Sequence, residues 1–335
     1  MTETSSVLVT GGAGYIGSHT VKALRQQGAT AIVFDNLSAG HLAAAACASA
    51  LVDGDIHDTA LLRSTIRQHR VDAVMHFAAW LSVADSVRDP AAYYHNNVVG
   101  ALSVLEAMLA ENVRHFVFSS TAAVFGNPVE TPITEAHPTD PINAYGQTKL
   151  AVEHALPHFD RAYGIKSVAL RYFNAAGADP DGELGEDHSP EVHLIPRAID
   201  AALGRGTFQL FGDDYDTPDG TCLRDYVHVT DLAAAHVLAL ESLRNGSPST
   251  KYNLGNGRPT SVKDVIESVE RVVGRKVPYT MATRRPGDPA VLYASSARIK
   301  QDLGWKPRFE DVDVIVETAW RWRESHPNGY GKAKA

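Results

Sequence analysis

The feature that most constrains this chain is a run of glycines lying between an apolar stretch and a helical one. Thr10-Gly11-Gly12-Ala13-Gly14-Tyr15-Ile16-Gly17 follows residues 7–10, which read as a short buried strand, and opens residues 14–27, which read as a helix. That context turns a Gly-x-x-Gly-x-x-Gly pattern into a phosphate cradle. Gly11 permits the tight turn, Gly14 lets a pyrophosphate approach the main chain, and Gly17 lets the helix pack on its strand, while the helix N-terminus supplies oriented N–H donors. Asp35 ends the next predicted strand, 18 residues after Gly17. A carboxylate there can bind both hydroxyls of an adenosine ribose and repel a 2′-phosphate, which favours NAD over NADP; alone, Asp35 reads equally well as a turn residue before Asn36. Asp55, after the predicted strand 50–54, can accept from an adenine amino group, although Gly54-Asp55 is also ordinary turn chemistry.

Strand and helix patterns go on alternating. Strands are expected at 31–35, 50–54, 73–77, 116–120 and 167–171, and helices at 59–69, 91–111 and 145–163. The alternation predicts a parallel sheet covered on both faces, an α/β fold with a Rossmann-type doubly wound sheet. From about Phe173 the pattern changes, with Gly, Pro and Asp frequent at 177–190 and 212–220. Later elements are short and mixed: helices near 194–203, 231–243 and 262–273, and a strand near 208–211. The expected division is a dinucleotide-binding domain over 1–172 and a smaller mixed α/β substrate lobe over 173–335, some of whose segments return to the first domain. That lobe would lie over the carboxyl edge of the sheet, where open α/β sheets hold their ligands. The Ala-rich segment 41–50 reads as a surface helix or a loop.

Composition narrows the function classes. Of 335 residues, 44% are hydrophobic and 21% charged, the balance of a soluble globular protein. The formal charge of −8 argues against general nucleic-acid binding, so an anionic ligand would need local arginines. No run approaches the roughly 18 apolar residues of a membrane span, and the short stretch before Gly11 leaves no room for a leader. Cys47 and Cys222 are far apart, without Cys-x-x-Cys or His-rich spacing. They suggest neither disulfide nor zinc and fit a reducing cytosol; no metal is expected.

The chemistry is concentrated in Tyr145-Gly146-Gln147-Thr148-Lys149, at the start of a predicted helix. The i, i+4 spacing puts phenol and ammonium on one face. Bringing a tyrosine from a pKa of about 10 to about 7 requires roughly 4 kcal/mol, which Lys149 and a positive nicotinamide ring can supply together. Such pairs also arise by chance on solvated helices. Here the pair follows a strand ending in Ser119-Ser120-Thr121, hydroxyls at the carboxyl end of the sheet where nicotinamide would lie. Capping or turn roles for Ser119 and Ser120 remain open on this reading.

Further segments are Ser18-His19 after the cradle, Asp35-Asn36-Leu37, Gly54-Asp55-Ile56, His76-Phe77-Ala78, Tyr94-His95-Asn96-Asn97-Val98, Leu170-Arg171-Tyr172-Phe173-Asn174 and Arg224-Asp225-Tyr226-Val227-His228-Val229. Through them the chain resembles the extended short-chain dehydrogenase/reductases and, within these, the UDP-galactose 4-epimerase family over nearly its whole length. The resemblance implies Tyr145 as base, Lys149 as its pKa-lowering partner and NAD ligand, and Thr121 as the third catalytic hydroxyl, in contact with substrate. It implies further NAD contacts at Tyr15, Ile16, Asn36, Ile56, Phe77, Ala78, Asn96 and Phe173. In the implied reaction Tyr145 takes the proton of the sugar 4-hydroxyl while C4 gives hydride to tightly bound NAD; the 4-keto sugar turns and is reduced from its other face, interconverting UDP-galactose and UDP-glucose. The UDP site would draw on Asn174, His193, Leu194, Arg224 and Arg285, with Phe211 packing on uracil and Asp288 on the uridine ribose. The resemblance also implies a homodimer formed through helices 91–111 and 145–163.

Departures from the family pattern are informative. Thr121 replaces a serine and keeps the hydroxyl; Phe125 stands where tyrosine is usual, Leu81 where some members carry a lysine, and Val192-His193 where an Asn pair is usual. Leu292 occupies the position whose bulk limits N-acetylated sugars. Dehydratases of similar sequence carry Asp-Glu directly after the catalytic Thr, and decarboxylases keep the Glu, whereas this chain has Ala122-Ala123. Those alanines favour simple epimerisation. The other readings are an epimerase of another UDP-sugar (N-acetylhexosamine, pentose or uronate) and a non-catalytic NAD-binding regulator.

Overall fold

The structure is a computed structural model that describes residues 5–285 and 288–331. Its first half builds strands β1 (Ser6–Thr10), β2 (Thr30–Asp35), β3 (Ala50–Asp53), β4 (Ala73–His76), β5 (His115–Thr121) and β6 (Lys166–Tyr172). Between them run helices α1 (Tyr15–Gln26), α2 (Thr59–His69), α3 (Val83–Arg88), α4 (Pro90–Tyr94), α5 (Gly100–Ala110) and α6 (Ala144–Tyr163). The second half adds strands β7 (Asn174–Ala176), β8 (Phe208–Phe211), β9 (Leu223–Arg224), β10 (Tyr226–His228), β11 (Thr250–Leu254), β12 (Thr260–Ser261), β13 (Tyr279–Ala282) and β14 (Val291–Leu292). Its helices are α7 (Leu194–Ala202), α8 (Val229–Arg244), α9 (Val262–Val273), α10 (Ala297–Leu303) and α11 (Val312–Ser325).

The main sheet has seven strands in the order β11-β6-β5-β4-β1-β2-β3, and every pairing in it is parallel. Strand side chains alternate between two cores, as the period of two requires. Val7, Val9, Val33 and Val117 pack with Val21 and Leu24 of α1 and Leu232 and Leu240 of α8. Leu8, Ile32, Phe34, Phe116 and Phe118 pack with Leu62 and Ile66 of α2, Val104 and Met108 of α5, and Val152 and Leu156 of α6. Helices on both faces make the sheet doubly wound, and the order reverses between β1 and β4, where a crevice opens at the carboxyl ends.

Two departures from the sequence reading concern the first sheet and its helices. The helix expected over 91–111 is α4 and α5 joined by a π-type turn at His95–Val99. The wider turn drives Asn97 inward, where its side chain accepts from Trp80 N at 2.9 Å and donates to Trp80 O at 3.1 Å and Thr148 Oγ1 at 3.0 Å. The second departure is β11, a five-residue strand too short to show a clear period. It pairs with β6, and α8 packs on α1, so segments beyond residue 173 complete the first sheet and one of its faces.

The remaining second-half elements surround their own core of Ile195, Ile199, Phe208, Leu210, Val265, Val269, Ile315 and Val316. Helix α9 opens with a capping box in which Ser261 and Asp264 satisfy each other's backbone N–H. Strands β7 with β10, and β9 with β12 and β14, form the small pairings that face the crevice.

Candidate active site

A cavity of about 570 Å³ runs along the carboxyl ends of β1, β2, β4, β5 and β6 and beneath the second-half loops. At one end is the glycine turn. Gly11 has φ +72°, and a Cβ there would stand 2.4 Å from Ala78 N; at Gly17 it would stand 2.2 Å from Gly11 O. At Gly14 the only neighbour among the described residues that a Cβ would meet is Gly11 O, at 3.3 Å. Gly11 and Gly17 therefore close the turn against the protein, while Gly14 leaves room on the cavity side for a ligand. Among the described residues no side chain caps α1, so its first N–H groups stay available to an anion.

Asp35 sits at the end of β2 on the cavity wall, its oxygens accepting from Ala13 N and Leu37 N, both at 2.9 Å. Burial raises its pKa and these two N–H donors partly offset the rise. Tyr15, Ile16, Asn36, Ile56, Phe77, Ala78, Asn96 and Phe173 also line the cavity. Asp55 does not. Its carboxylate accepts from His57 N at 2.9 Å, His57 Nδ1 at 2.6 Å and Asn36 Nδ2 at 3.0 Å, the turn arrangement that the Gly54-Asp55 pair allowed.

Tyr145, Lys149 and Thr121 all line this cavity. Helix α6 starts one residue before Tyr145 because Asn143 caps it, accepting from Gly146 N at 2.9 Å. Gly146 is required here, since a Cβ would stand 2.5 Å from Ala123 O. Thr121 ends β5, and its hydroxyl accepts from Ala123 N at 3.1 Å. Alternation along β5 separates the three hydroxyls. Ser119 faces the cavity and bonds the Tyr172 hydroxyl, whereas Ser120 faces away and donates to Glu153 at 2.5 Å, within the buried Glu153–Arg171 ion pair.

The electrostatics differ from the expected Tyr–Lys pairing. Lys149 donates to Ser119 O at 2.8 Å and lies 5.0 Å from the Phe118 ring centroid. Burial lowers its pKa to about 7. Burial raises that of Tyr145, against which the Thr121 hydroxyl pulls downward. In the protein alone both groups are driven toward their neutral forms, and the phenolate needs positive charge brought in with a ligand.

At the far end, Asn174, His193, Arg224, Asp288 and Leu292 line the cavity. Arg224 donates to Leu223 O at 2.9 Å and Pro289 O at 2.8 Å and pairs with Asp288 at 3.4 Å. Asn174 donates to Asp225 O at 2.9 Å across the β7–β10 pairing. Phe211, Arg285 and Leu194 lie off the cavity wall. The Arg285 guanidinium stacks over the Phe211 ring, 4.0 Å from its centroid, and Leu194 begins α7 and packs on that lobe's core. Leu81 lines the cavity, and Phe125 is buried beneath it with the Arg171 guanidinium 5.0 Å from its ring.

The sequence reading missed Glu186 and His188, which share the wall with His193. Burial alone would lower the pKa of His188, but contacts with Glu186 and Glu191 raise it to about 9. His193 is likewise held up against burial, to about 10, by the charge of Glu186 and by contacts with both carboxylates. The signal that would have found them is the spacing Glu186-x-His188-x-x-Glu191-x-His193.

A doubly wound sheet with a glycine-lined, uncapped helix start at its switch point defines a dinucleotide-dependent enzyme of the α/β class. The chain belongs to the NAD dependent epimerase/dehydratase family, whose model matches residues 7–255. It is 52% identical over 326 residues to a UDP-glucose 4-epimerase of Halalkalibacterium halodurans, covering 97% of each chain. Among solved structures it is similar to UDP-glucose 4-epimerase from Brucella ovis in complex with NAD, with a TM-score of 0.92 and 51% identity over 94% of this chain and 97% of that one. The Bifidobacterium longum UDP-glucose 4-epimerase in complex with NAD+ and UDP matches with a TM-score of 0.91 and 38% identity, over 97% and 100% of the two chains.

Proposed function

We propose that this protein is a UDP-glucose 4-epimerase that interconverts UDP-galactose and UDP-glucose with NAD held in the cavity through the cycle. The observation that supports the reading is that Tyr145, Lys149 and Thr121 line the same cavity as the glycine turn and Arg224. NAD fits the residues present, because Gly14 leaves room beside an uncapped helix start and Asp35 lies where ribose hydroxyls would be bound. Gly11, Gly14, Gly17, Tyr15, Ile16, Asn36, Ile56, Phe77, Ala78, Asn96, Phe173, Tyr145 and Lys149 would hold it. When bound, NAD supplies the ring that takes hydrogen from C4 and returns it.

Tyr145 takes the proton of the sugar 4-hydroxyl and later gives it back, while the Thr121 hydroxyl holds the same oxygen. Lys149 supplies positive charge near the phenol and fixes the dinucleotide. Ala122 and Ala123 add no acid or base next to this centre, so the chemistry stops at oxidation and reduction of C4. Arg224 and Asn174 would meet the UDP diphosphate, joined by His193 through Nε2, since its Nδ1 faces Glu186 and Glu191, and Asp288 would meet the uridine ribose, with Arg224 exchanging its ion pair for the ligand. Phe211 and Arg285 reach the uracil only if their stacking opens. Leu292 would set the room beside C2 of the sugar.

The test is conversion of UDP-galactose to UDP-glucose, followed by NMR without added cofactor, with UDP-N-acetylglucosamine, a UDP-pentose and a UDP-uronate in parallel. Tyr145→Phe should lose about 10²–10⁴-fold in turnover. Full activity in that variant would overturn the reading. We also place the enzyme in the cytosol, where Cys47 and Cys222, both free, stay reduced; no helix among the described residues is long and apolar enough to cross a membrane. A homodimer through α4, α5 and α6 would cover the exposed Tyr94, Val99 and Tyr163, and light scattering should give twice the chain mass.

A further inference from the structure

The loop between β7 and α7 brings two carboxylates and two imidazoles to one point. His193 Nδ1 lies 2.7 Å from Glu186 Oε1 and 3.0 Å from Glu191 Oε1; His188 Nδ1 lies 3.2 Å from Glu186 Oε1 and 3.7 Å from Glu191 Oε2. All four residues offer ligand atoms within 4.8 Å of one another. We propose that Glu186, His188, Glu191 and His193 form a binding site for a divalent transition-metal ion of the zinc type.

Three observations carry this. The first is size. Four ligands at about 2.0–2.2 Å from a tetrahedral ion stand roughly 3.3–3.6 Å apart, and the four contacts above straddle that separation.

The second is the direction of the contacts. Glu186 is only 7% exposed, yet its Oε1 makes no hydrogen bond, and neither does His188 Nδ1 or Glu191 Oε2, although all three are buried. Of the four contacts only His193 Nδ1 with Glu191 Oε1 has hydrogen-bond geometry; the other three are short distances between atoms that do not point at each other as donor and acceptor, as for groups aimed at a shared centre. Directed ion pairs would instead have satisfied those atoms.

The third is charge and ligand type. Two carboxylates offset a divalent ion, and two imidazoles favour zinc, nickel or copper over magnesium or calcium, which prefer all-oxygen shells. The cluster is also braced from outside: the Tyr15 hydroxyl donates to Gly177 O at 2.6 Å, and Asp187 accepts from Tyr330 N at 2.9 Å. An ion would thus tie the loop over the cavity without reorganising its supports.

The test uses the full chain, stripped with a chelator, dialysed and kept free of nucleotide. Zinc titrated by calorimetry should bind once per chain. Glu186→Gln and His188→Gln should each weaken that binding by more than the 10–100-fold typical of losing an outer-shell partner. X-ray absorption of the zinc-loaded wild-type protein, which does not depend on the variants folding, should show four nitrogen or oxygen ligands including two imidazoles at about 2.0–2.1 Å. Absence of saturable zinc binding, equal binding in both variants, or a shell without imidazole would overturn the proposal and leave the cluster as two histidine–glutamate ion pairs.

Discussion

The two halves of the cavity wall treat buried ionisable groups in opposite ways. In the half built by β5 and α6, Lys149 has no carboxylate partner among the described residues, and burial pulls its pKa down to about 7. On the loop before α7, His188 and His193 are only partly buried and face Glu186 and Glu191, which hold them at about 9 and 10. Desolvation acts on both, more strongly on Lys149. What differs is the countercharge, so the first half leaves the compensation of its ammonium to a ligand and the second carries its compensation within the chain. A buried cation without a partner is a cost to folding that a purely structural wall would have removed.

Lys149→Met separates these roles most strongly. Turnover should fall by about 10²-fold or more, because neither the phenolate nor the dinucleotide keeps its cation. The cofactor-free protein should meanwhile become more stable, by on the order of 1–3 kcal/mol in urea unfolding at pH 7, as an uncompensated ammonium is replaced by an apolar chain. Lower stability in the variant would mean that the Lys149–Ser119 contact is a structural support, and the contrast between the halves would fail.

The same contrast marks what the sequence could reveal. The cradle, Asp35, Tyr145, Lys149 and Thr121 were readable because each lies at a strand end or a helix start within one βα unit, where local pattern fixes direction. Strand β11 was not readable, since five residues at a sheet edge carry little periodicity and its partner β6 lies some 80 residues earlier. The separation of Ser119 and Thr121 from Ser120 follows from alternation along β5, yet only the buried Glu153–Arg171 pair shows which face is the core. In the second half, short pairings set the geometry. Arg224 and Asp288 were named as ligand residues, but their mutual ion pair and the stacking of Arg285 on Phe211 depend on loops that no periodicity describes.

The pH dependence of stability should sharpen the comparison with smaller effects. Lys149 has a folded pKa below its unfolded value, so its penalty is full below about pH 7 and fades as pH rises toward about 10.4. His188 and His193 have folded pKa values above the unfolded 6.5; their contribution is full below that value and is lost as pH rises through about 9 to 10. The two halves therefore oppose each other across the same window. In metal-free, cofactor-free protein, the melting-temperature gap between wild type and Glu186→Gln should shrink by about 2–4 °C from pH 6.5 to pH 10. The excess stability of Lys149→Met should shrink over the same range. A gap that widens with pH in the Glu186→Gln pair would reverse the assignment of countercharge.

Two carboxylates on the dinucleotide side give the weakest version of the contrast. Asp35 lies on the cavity wall, while Asp55, after the neighbouring strand, is turned into a closed set of contacts with His57 and Asn36. A group already satisfied by its own turn has little to offer a ligand, whereas a charged acceptor on the wall contributes about 1.5–3 kcal/mol to a hydroxyl it binds. Asp35→Asn should thus weaken NAD binding by about 10–100-fold in fluorescence titration of cofactor-stripped protein. Asp55→Asn should change it by less than about threefold. Equal losses in the two variants would show that Asp55 leaves its turn to meet the adenine, and that the satisfied carboxylate is the mobile one.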